Sequence, residues 1–329
     1  MTADAGPGRN TSPCVRHVTI EAEDAGQRID NFLIRQLKGL PRSRIYRILR
    51  RGEVRVNKGR VRPSYRLVAG DYVRIPPVRE AQRTRPQPSS DLLQRLEAQV
   101  VFEDSHLLVM DKPAGLAVHG GSGVSLGLIE ACRAARPDCR RLELVHRLDR
   151  ETSGLVMLAK RRSSLRMLHE LLRTGGVDKR YLGLVRGCWP TGWKTIQAPL
   201  KKNVLRSGER VVTVDQTGRD AVTEFCRLEL FADASFVEAK LVTGRTHQIR
   251  VHAAQAGYPL AGDSKYGDRE FNQVLRKLGL TRLFLHATRL AYTDLETGER
   301  IEFSAPLADD LRAVLNRLEE DRVSRGCEG

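Results

Sequence analysis

The chain has 329 residues, 40% of them hydrophobic and 29% charged, which is the composition of a globular protein with a sizeable buried core. Its 56 Lys and Arg against 40 Asp and Glu give a net charge of +16, which indicates a polyanionic partner, nucleic acid first and a membrane surface second. No apolar run approaches the ~20 residues of a membrane span, and the polar N-terminus does not resemble a signal peptide.

The first predicted elements follow a polar leader. Residues 1–26 are predicted to be a disordered leader, residues 27–77 a small folded domain, and residues 78–91 a flexible basic linker. Within the small domain, four apolar residues at helical spacing predict a first helix: Ile29, Phe32, Leu33 and Leu37. A second helix is predicted to open at Pro41-Arg42-Ser43, with Ser43 as its N-cap. A turn at Asn57-Lys58-Gly59 then leads to a closing strand at Tyr72–Ile75.

Positive charge is concentrated in this small domain and the linker. Between Arg28 and Arg85 the sequence has 17 Lys and Arg against 4 Asp and Glu, a net charge of +13. A solvated basic face is the ordinary explanation of such a run. In a module this small, a stripe of arginines along the second helix instead predicts a track for RNA phosphates. The candidate phosphate contacts are Arg42, Arg44, Arg47 and Arg51.

The stretch Leu142–Lys160 organises the larger part of the chain. A polar loop, His146–Gly154, is followed by the apolar run Leu155–Ala159, which predicts a strand buried on both faces. Core segments on either side would hold the loop and present Asp149 rigidly. Considered alone, an Asp at this position is more often a structural turn residue than a catalytic one.

The nine residues His146–Gly154 read His-Arg-Leu-Asp-Arg-Glu-Thr-Ser-Gly and resemble the signature of the RluA-type pseudouridine synthase family. This resemblance implies an isomerase that converts uridine to pseudouridine in RNA, with Asp149 as the essential carboxylate, acting as nucleophile or as base. It also implies that Tyr181 stacks on the target base or takes its C5 proton, and that Arg250 pairs with Asp149 and keeps it ionised. The same resemblance makes four further residues candidates for substrate binding: His146, Arg147, Thr152 and Leu285.

Two further resemblances indicate the RNA partner. The order of helix, arginine-rich helix and strand over residues 27–76 resembles the S4 RNA-binding domain, which implies recognition of phosphates and shape rather than of bases. Four other segments resemble family members that modify large-subunit (23S) ribosomal RNA, namely Asp111–Gly123, 207–210, Asp268–Phe271 and Leu283–Ala287. Isomerisation with base flipping in that RNA is therefore the predicted function.

The second domain is predicted to span residues 92–320, with a short tail at 321–329. Strand candidates outnumber helices, which predicts the α+β class: a small S4-like domain plus a mixed, mainly antiparallel sheet. One helix is predicted to start at Thr243 and to stop at Gly257. It contains His247 and His252, whose spacing of five places them on different sides of a helix and excludes a shared metal ion.

No cofactor is expected. The six cysteines show no Cys-x-x-Cys spacing, which argues against zinc and disulfides and favours a cytoplasmic location. No Walker or dinucleotide-binding loop occurs, so neither a metal nor a nucleotide cofactor is predicted. The chain is expected to act as a monomer on large-subunit ribosomal RNA, with no membrane partner.

Two other functional classes remain open on the sequence. An RNA-binding assembly factor would explain the basic first domain but would leave the Asp149 motif without a purpose. A glycoside hydrolase would need two facing carboxylates, and Glu151 is the only acidic neighbour of Asp149 in the motif.

Overall fold

The computed structural model describes residues 14–37, 39–78, 87–120, 126–139, 141–204, 210–295 and 297–324. The chain divides into two compact units at Arg85 and Pro86. Most of the predicted leader, the centre of the predicted linker, the end of the predicted tail and the segment Ser207–Glu209 lie outside the described residues.

The described residues of the first unit form two α-helices, a short 3-10 helix at Ala22–Asp24 and one small antiparallel sheet with strand order β1-β3-β2. Its elements are β1 Arg16–Thr19, α1 Ile29–Gln36, α2 Arg42–Arg50, β2 Arg55–Val56 and β3 Tyr72–Ile75. Strand β1 pairs with β3 along its whole length, from Arg16 opposite Ile75 to Thr19 opposite Tyr72. The prediction of disorder up to residue 26 is therefore wrong from Arg16 onward, because these residues complete the sheet.

Both helices of the first unit place their apolar residues in one core, including the four predicted for α1. Phe32, Leu33, Ile45 and Ile48 are fully buried there. Helix α2 begins at Arg42 with Pro41 as its N-cap residue, so the prediction of Ser43 as the cap is wrong. The fixed φ of proline allows the helix to start directly after it, which places Ser43 inside the first turn. The predicted turn at Asn57-Lys58-Gly59 is confirmed directly after β2, where Asn57 and Lys58 adopt positive φ angles of 50° and 69°.

The described residues of the second unit contain six helices and twelve strands. The helices are α3 Ser90–Glu97, α4 Leu128–Ala135, α5 Arg162–Thr174, α6 Gln248–Gln255, α7 Arg269–Lys277 and α8 Asp309–Ser324. The strands are β4 Val100–Glu103, β5 Leu107–Lys112, β6 Glu143–Leu144, β7 Ser153–Ala159, β8 Val177–Arg186, β9 Trp193–Gln197, β10 Leu200–Val204, β11 Arg210–Val214, β12 Val222–Leu230, β13 Ala234–Leu241, β14 Leu285–Thr293 and β15 Arg300–Ser304.

Ten of these strands form one sheet whose main path is β4-β5-β7-β14-β8-β13-β12-β9, with β6 beside β7 and β15 beside β14. Strands β7 and β14 are parallel, and the other neighbours in the sheet are antiparallel. Strands β10 and β11 pair separately. The predicted α+β class with a mixed, mainly antiparallel sheet is confirmed.

Strand β7 is the central element that the sequence predicted after Gly154. All seven of its residues are buried, and its neighbours β5 and β14 cover both of its edges. The contact with β14 is close: a Cβ on Gly154, whose φ is 106°, would lie 2.3 Å from the carbonyl oxygen of Ala287. Only glycine fits this approach, and it fixes the position where the Asp149 loop enters the sheet.

Three predicted boundaries change. Helix α3 begins at Ser90 and is capped by the Ser89 hydroxyl, which accepts a hydrogen bond from the Leu92 amide at 3.2 Å, so the linker does not extend to residue 91. Helix α8 continues to Ser324, past the predicted domain end at residue 320. Helix α6 begins at Gln248 rather than at Thr243, and His247 before it has a left-handed backbone with φ of 54°.

Candidate active site

A cavity of about 920 Å³ opens in the second unit. Its walls come from the polar loop before β7, from the start of β8, from the end of β13 with the following turn, and from the first turn of α6. Seven residues that the sequence indicated as site residues line it: His146, Arg147, Asp149, Thr152, Tyr181, Arg250 and Leu285. The structure therefore brings together candidates that are more than a hundred positions apart in the chain.

Asp149 is the only carboxylate among the described residues that line this cavity. Its side chain is 25% exposed, and its Oδ2 atom lies 3.1 Å from Nη1 of Arg250 and 3.7 Å from Nε2 of His247. One carboxylate oxygen thus receives a charge-assisted hydrogen bond while part of the group stays open to the cavity. This is the geometry of a carboxylate that is oriented and still available to a ligand.

The loop that carries Asp149 is fastened from the other side by Lys112 at the end of β5. The Lys112 amino group is fully buried and donates hydrogen bonds to the carbonyl oxygens of Pro113, Leu116 and Arg150, at 2.8, 2.9 and 3.2 Å. The Gly115 amide donates to the Arg150 carbonyl at 2.8 Å. Burial lowers the pKa of Lys112 to about 7. Three carbonyl acceptors satisfy its three donors, and they hold the loop next to Asp149 in one position.

Arg250 has a stronger partner than the predicted one. Its Nε and Nη2 atoms bind both carboxylate oxygens of Asp263 at 2.7 and 2.8 Å, whereas Asp149 receives a single bond. The Asp263 side chain is 1% exposed. Burial alone would raise the pKa of Asp263, but the hydrogen bonds and charge of Arg250 outweigh it and lower that pKa. The pairing with Asp149 exists, and Asp263 holds the guanidinium in place for it.

His247 and Tyr266 form a second support that the sequence analysis missed. His247 Nδ1 lies 2.8 Å from the Tyr266 hydroxyl, which also accepts a hydrogen bond from the Val212 amide at 2.9 Å. The Tyr266 ring lies beneath the Arg250 guanidinium at 5.0 Å. Burial lowers the pKa of His247 despite the nearby Asp149 charge, so the ring is neutral at pH 7. The unusual feature of His247 is its left-handed backbone conformation. The sequence does not show this conformation, so it could not point to His247 in advance.

Replacing Tyr266 by Phe should lower the turnover rate while leaving the Arg250 contact in place. The variant keeps the ring under the guanidinium and removes only the hydroxyl that holds His247 and the Val212 amide. Losing such a hydrogen bond costs about 1–2 kcal/mol, which corresponds to roughly a 5- to 30-fold decrease in kcat. Steady-state kinetics on an RNA substrate would measure it, and an unchanged kcat would contradict a supporting role for this hydroxyl.

Tyr181 and Leu285 form the apolar wall of the cavity. They lie on the neighbouring strands β8 and β14 and are 6% and 3% exposed. Burial and the charge of Asp149 raise the pKa of Tyr181 well above its ordinary value. The phenol is therefore neutral at physiological pH and offers a flat aromatic face beside the carboxylate.

The three remaining motif residues differ in their surroundings. Arg147 is exposed at the cavity, and Thr152 is buried in its wall. His146 Nε2 accepts a hydrogen bond from the Met157 amide at 3.2 Å, and burial lowers the pKa of His146 to about 4. One ring nitrogen of His146 is therefore occupied by β7, so His146 holds the loop to the strand as well as lining the cavity.

The four candidate phosphate contacts belong to the first unit, on or directly after α2. Arg42 and Arg47 are exposed and Arg44 is half-buried, and none of the three has an ion-pair partner among the described residues. Arg51 lies 3.9 Å from Glu53, and both side chains are largely exposed. Arg42, Arg44 and Arg47 are therefore available to an external anion, since α2 buries Ile45, Ile48 and Leu49 on its other face.

Within the described part of the chain, no group of three or more His, Cys, Asp or Glu side chains is arranged to hold a metal ion. No helix in that part is both long and apolar enough to cross a membrane.

Comparison with known proteins places the chain in a family. Residues 106–255 match the model of the RNA pseudouridylate synthase family, and residues 27–73 match the S4 domain. The chain is 55% identical to ribosomal large subunit pseudouridine synthase C of Yersinia pestis, over 95% of this chain and 98% of that protein. It is 54% identical to the protein of that name from Escherichia coli strain K12, over 95% of this chain and 100% of the relative.

Among solved structures, human RNA pseudouridylate synthase domain containing 4 matches with a TM-score of 0.58 and 27% identity, covering 70% of this chain and 96% of that one. Since relatives of well over 30% identity are covered almost end to end, the chain belongs to the RNA pseudouridylate synthase family and is an isomerase with an S4 domain.

Proposed function

We propose that the protein isomerises uridine to pseudouridine in large-subunit ribosomal RNA, with Asp149 as the essential carboxylate. The substrate follows from the names of the relatives, which act on the large ribosomal subunit. One observation carries the catalytic assignment: a single carboxylate, held by Arg250, lies in a cavity that also contains a buried tyrosine face.

The reaction requires that the N1–C1′ bond break, that the uracil turn, and that C5 join C1′. The carboxylate of Asp149 supports the first step either as a nucleophile at C1′ or as a base towards the sugar. The target base must leave its stack before Asp149 can reach the sugar, so the RNA is bound with the nucleotide flipped into the cavity. Arg147, exposed at the cavity, fills the gap that the base leaves or binds a phosphate.

The wall of Tyr181 and Leu285 accommodates the flipped base between an aromatic face and an aliphatic one. Stacking on aromatic rings contributes about 1–3 kcal/mol per base, which is enough to hold the uracil while its glycosidic bond is broken. Burial and the charge of Asp149 raise the pKa of Tyr181, so Tyr181 is a neutral phenol whose ring can stack on the uracil.

A glycoside hydrolase has weaker support. Both mechanisms of glycoside hydrolysis use a pair of carboxyl groups about 5–10 Å apart, and Asp149 has no second carboxylate across the cavity among the described residues. A non-catalytic RNA-binding factor would leave the arrangement of Asp149, Arg250 and Asp263 without a purpose. The proposal includes a monomeric enzyme that works in the cytoplasm.

The proposal is tested by incubating the purified protein with large-subunit ribosomal RNA lacking pseudouridine. We expect pseudouridine at defined positions and no free uracil. Free uracil without pseudouridine would identify a hydrolase, and tight RNA binding without any product would identify an assembly factor. Mapping pseudouridine in cells that lack the protein would then identify the modified positions.

Deleting residues 1–85 should weaken RNA binding and leave the chemistry in place. The second unit keeps its own hydrophobic clusters and all the cavity residues, so we expect it to fold and to modify concentrated RNA. If three or four of the lost arginines contact phosphate, the slope of log affinity against log salt should decrease by roughly three. The slope is measured by RNA binding at several salt concentrations.

An unchanged salt slope would show that the arginines of α2 form only a solvated face. A folded truncated protein without any activity, even at high RNA concentration, would show that residues 1–85 contribute to the chemistry itself.

A further inference from the structure

Lys179 is a buried cation at the cavity of the candidate active site. It lies on β8 two residues before Tyr181, so both side chains extend from the same face of the strand, and both line the cavity. Lys179 is 7% exposed and Tyr181 is 6% exposed. A Cβ on Gly244, in the turn after β13, would lie 3.7 Å from Lys179 Nζ. The lysine is thus as enclosed as the aromatic ring beside it.

Within the described part of the chain, the Lys179 amino group meets no hydrogen-bond or ion-pair partner, and its Nζ atom is not fully enclosed but opens on the cavity. The next residue, Arg180, differs, because it binds Asp178 at 3.1 Å and Glu238 at 2.7 Å. Lys112, the other lysine buried among the described residues, donates to three carbonyl oxygens. An ammonium that loses hydration without gaining a partner is costly. Burial lowers the pKa of Lys179, and the nearby charge of Asp178 opposes that shift. The position therefore calls for a ligand that supplies negative charge.

The surroundings of Lys179 favour a nucleotide base, rather than a phosphate group, as the ligand that binds it. Three arginines that line the cavity are exposed, namely Arg147, Arg173 and Arg245, and they suit the phosphates of an RNA strand that passes over the surface. Lys179 is enclosed with Tyr181, the proposed stacking partner of the base. Both side chains line the same cavity, and the charge of Lys179 acts on His146 in the motif loop, so the ammonium group lies where a base that enters the cavity would meet it.

We propose that Lys179 donates a hydrogen bond to a uracil oxygen of the flipped nucleotide and stabilises the negative charge that develops on the base when the N1–C1′ bond breaks. This inference rests on the proposed isomerisation and assigns the group that binds its leaving base. When the bond breaks, its electron pair stays on uracil N1 and spreads to O2 and O4. The electron deficit at C1′ is met by Asp149, which either bonds C1′ or takes the C2′ proton as a C1′–C2′ double bond forms.

The second half of the reaction reverses this charge. C5 bonds C1′, Asp149 leaves C1′ or returns the proton to C2′, the C5 proton passes to solvent water, and N1 takes a proton from solvent water. The hydrogen bond from Lys179 is therefore strongest while the base is detached, and so it lowers the barrier more than it strengthens the binding of RNA.

The test compares Lys179→Met with Lys179→Arg under single-turnover conditions with enzyme in excess. For Lys179→Met we expect the rate constant of isomerisation to fall by about 10²–10³-fold, while the Kd for RNA changes by less than about twofold. Lys179→Arg should restore part of the rate because it keeps the charge. The melting temperature of Lys179→Met should be unchanged or higher, since the variant removes an unpaired buried cation.

Lys240→Met is the matched control. Lys240 lies on the adjacent strand β13, is paired with Glu224 at 2.9 Å, is 37% exposed and does not line the cavity, so its rate should equal that of the wild type. A higher Kd and a flatter salt dependence with an unchanged rate would show that Lys179 binds phosphate and would overturn the proposal. A rate loss that accompanies a lower melting temperature would also overturn it, as a structural role. Absence of isomerisation by the wild type would instead refute the proposed function.

Discussion

Replacing Asp149 by Asn should abolish isomerisation and leave RNA binding almost unchanged. The side chain keeps its size and can still accept a hydrogen bond from Arg250, but it loses the carboxylate that acts at the sugar. Losing a catalytic group of this kind costs on the order of 10⁴–10⁶-fold in kcat. Pseudouridine formation on ribosomal RNA and RNA affinity would be measured for the same preparation. The fold should be retained, because Arg250 keeps its bidentate partner Asp263.

Glu151→Gln is the matched control for this experiment. Glu151 lies in the same loop, its side chain is 50% exposed and lies 3.6 Å from Arg150, and it does not line the cavity. The Glu151 variant should therefore turn over like the wild type. Turnover near the wild-type rate in the Asp149 variant would remove Asp149 from the mechanism.

Replacing Arg250 by Met should reduce both activity and stability. Asp149 loses the group that orients it, and Asp263, which is 1% exposed, loses its counter-charge. Breaking a buried ion pair by removing one partner costs about 3–5 kcal/mol, so urea unfolding at pH 7 should show a decrease of that size. The variant should also lose most of its activity, while affinity for RNA should fall much less.

The stability loss should depend on pH in a defined direction. The pKa of Asp263 is lowered in the wild type, so its pairing stabilises the fold above the unfolded-state pKa of about 4. That contribution is lost as the pH falls through the lowered pKa. In the Arg250 variant, Asp263 becomes neutral more easily. The difference in unfolding free energy between the two proteins should therefore shrink from pH 7 towards pH 4.

Asp263→Asn tests whether Arg250 supports activity through its direct contact with Asp149 or only through the position in which Asp263 holds it. It leaves Arg250 free to contact Asp149 but removes the carboxylate that holds the guanidinium in place. A smaller activity loss than for Arg250→Met would show that the direct contact with Asp149 dominates. An equal loss would show that Arg250 acts only in the position that Asp263 gives it.

Periodic apolar patterns predicted the parts of the fold that bury continuous surfaces. Helix α1 and strand β7 place every predicted apolar residue in a core, because burial at a fixed spacing leaves a direct trace in the sequence. Strands β1, β9 and β10 were not predicted. Strand β1 has four residues that are largely exposed, and β9 is mostly exposed as well, so neither leaves an apolar pattern.

In the site, the residues that belong to a sequence motif were predictable, whereas those whose role depends on contacts between separate segments were not. The Asp149 loop and the cavity position of Tyr181 were predictable because the residues themselves resemble a known signature. The role of Asp263 was not, because it depends on a bond between α6 and the chain that follows it rather than on a local pattern. The start of α6 was misplaced for a related reason: Thr243 and Arg245 bond to the Gln248 side chain instead of continuing the helix.

Strand β1 sets a practical limit for anyone who prepares the first unit as a separate fragment. The match of the first unit to the S4 domain begins at residue 27. A fragment that starts there would lack strand Arg16–Thr19 and also Ile20, which is 2% exposed and lies in the core. Strand β3 would then present an unpaired edge, which is a template for pairing between copies. Such a fragment should aggregate at concentrations where a fragment that begins at Cys14 stays monomeric, so the N-terminal boundary for expression lies before Arg16.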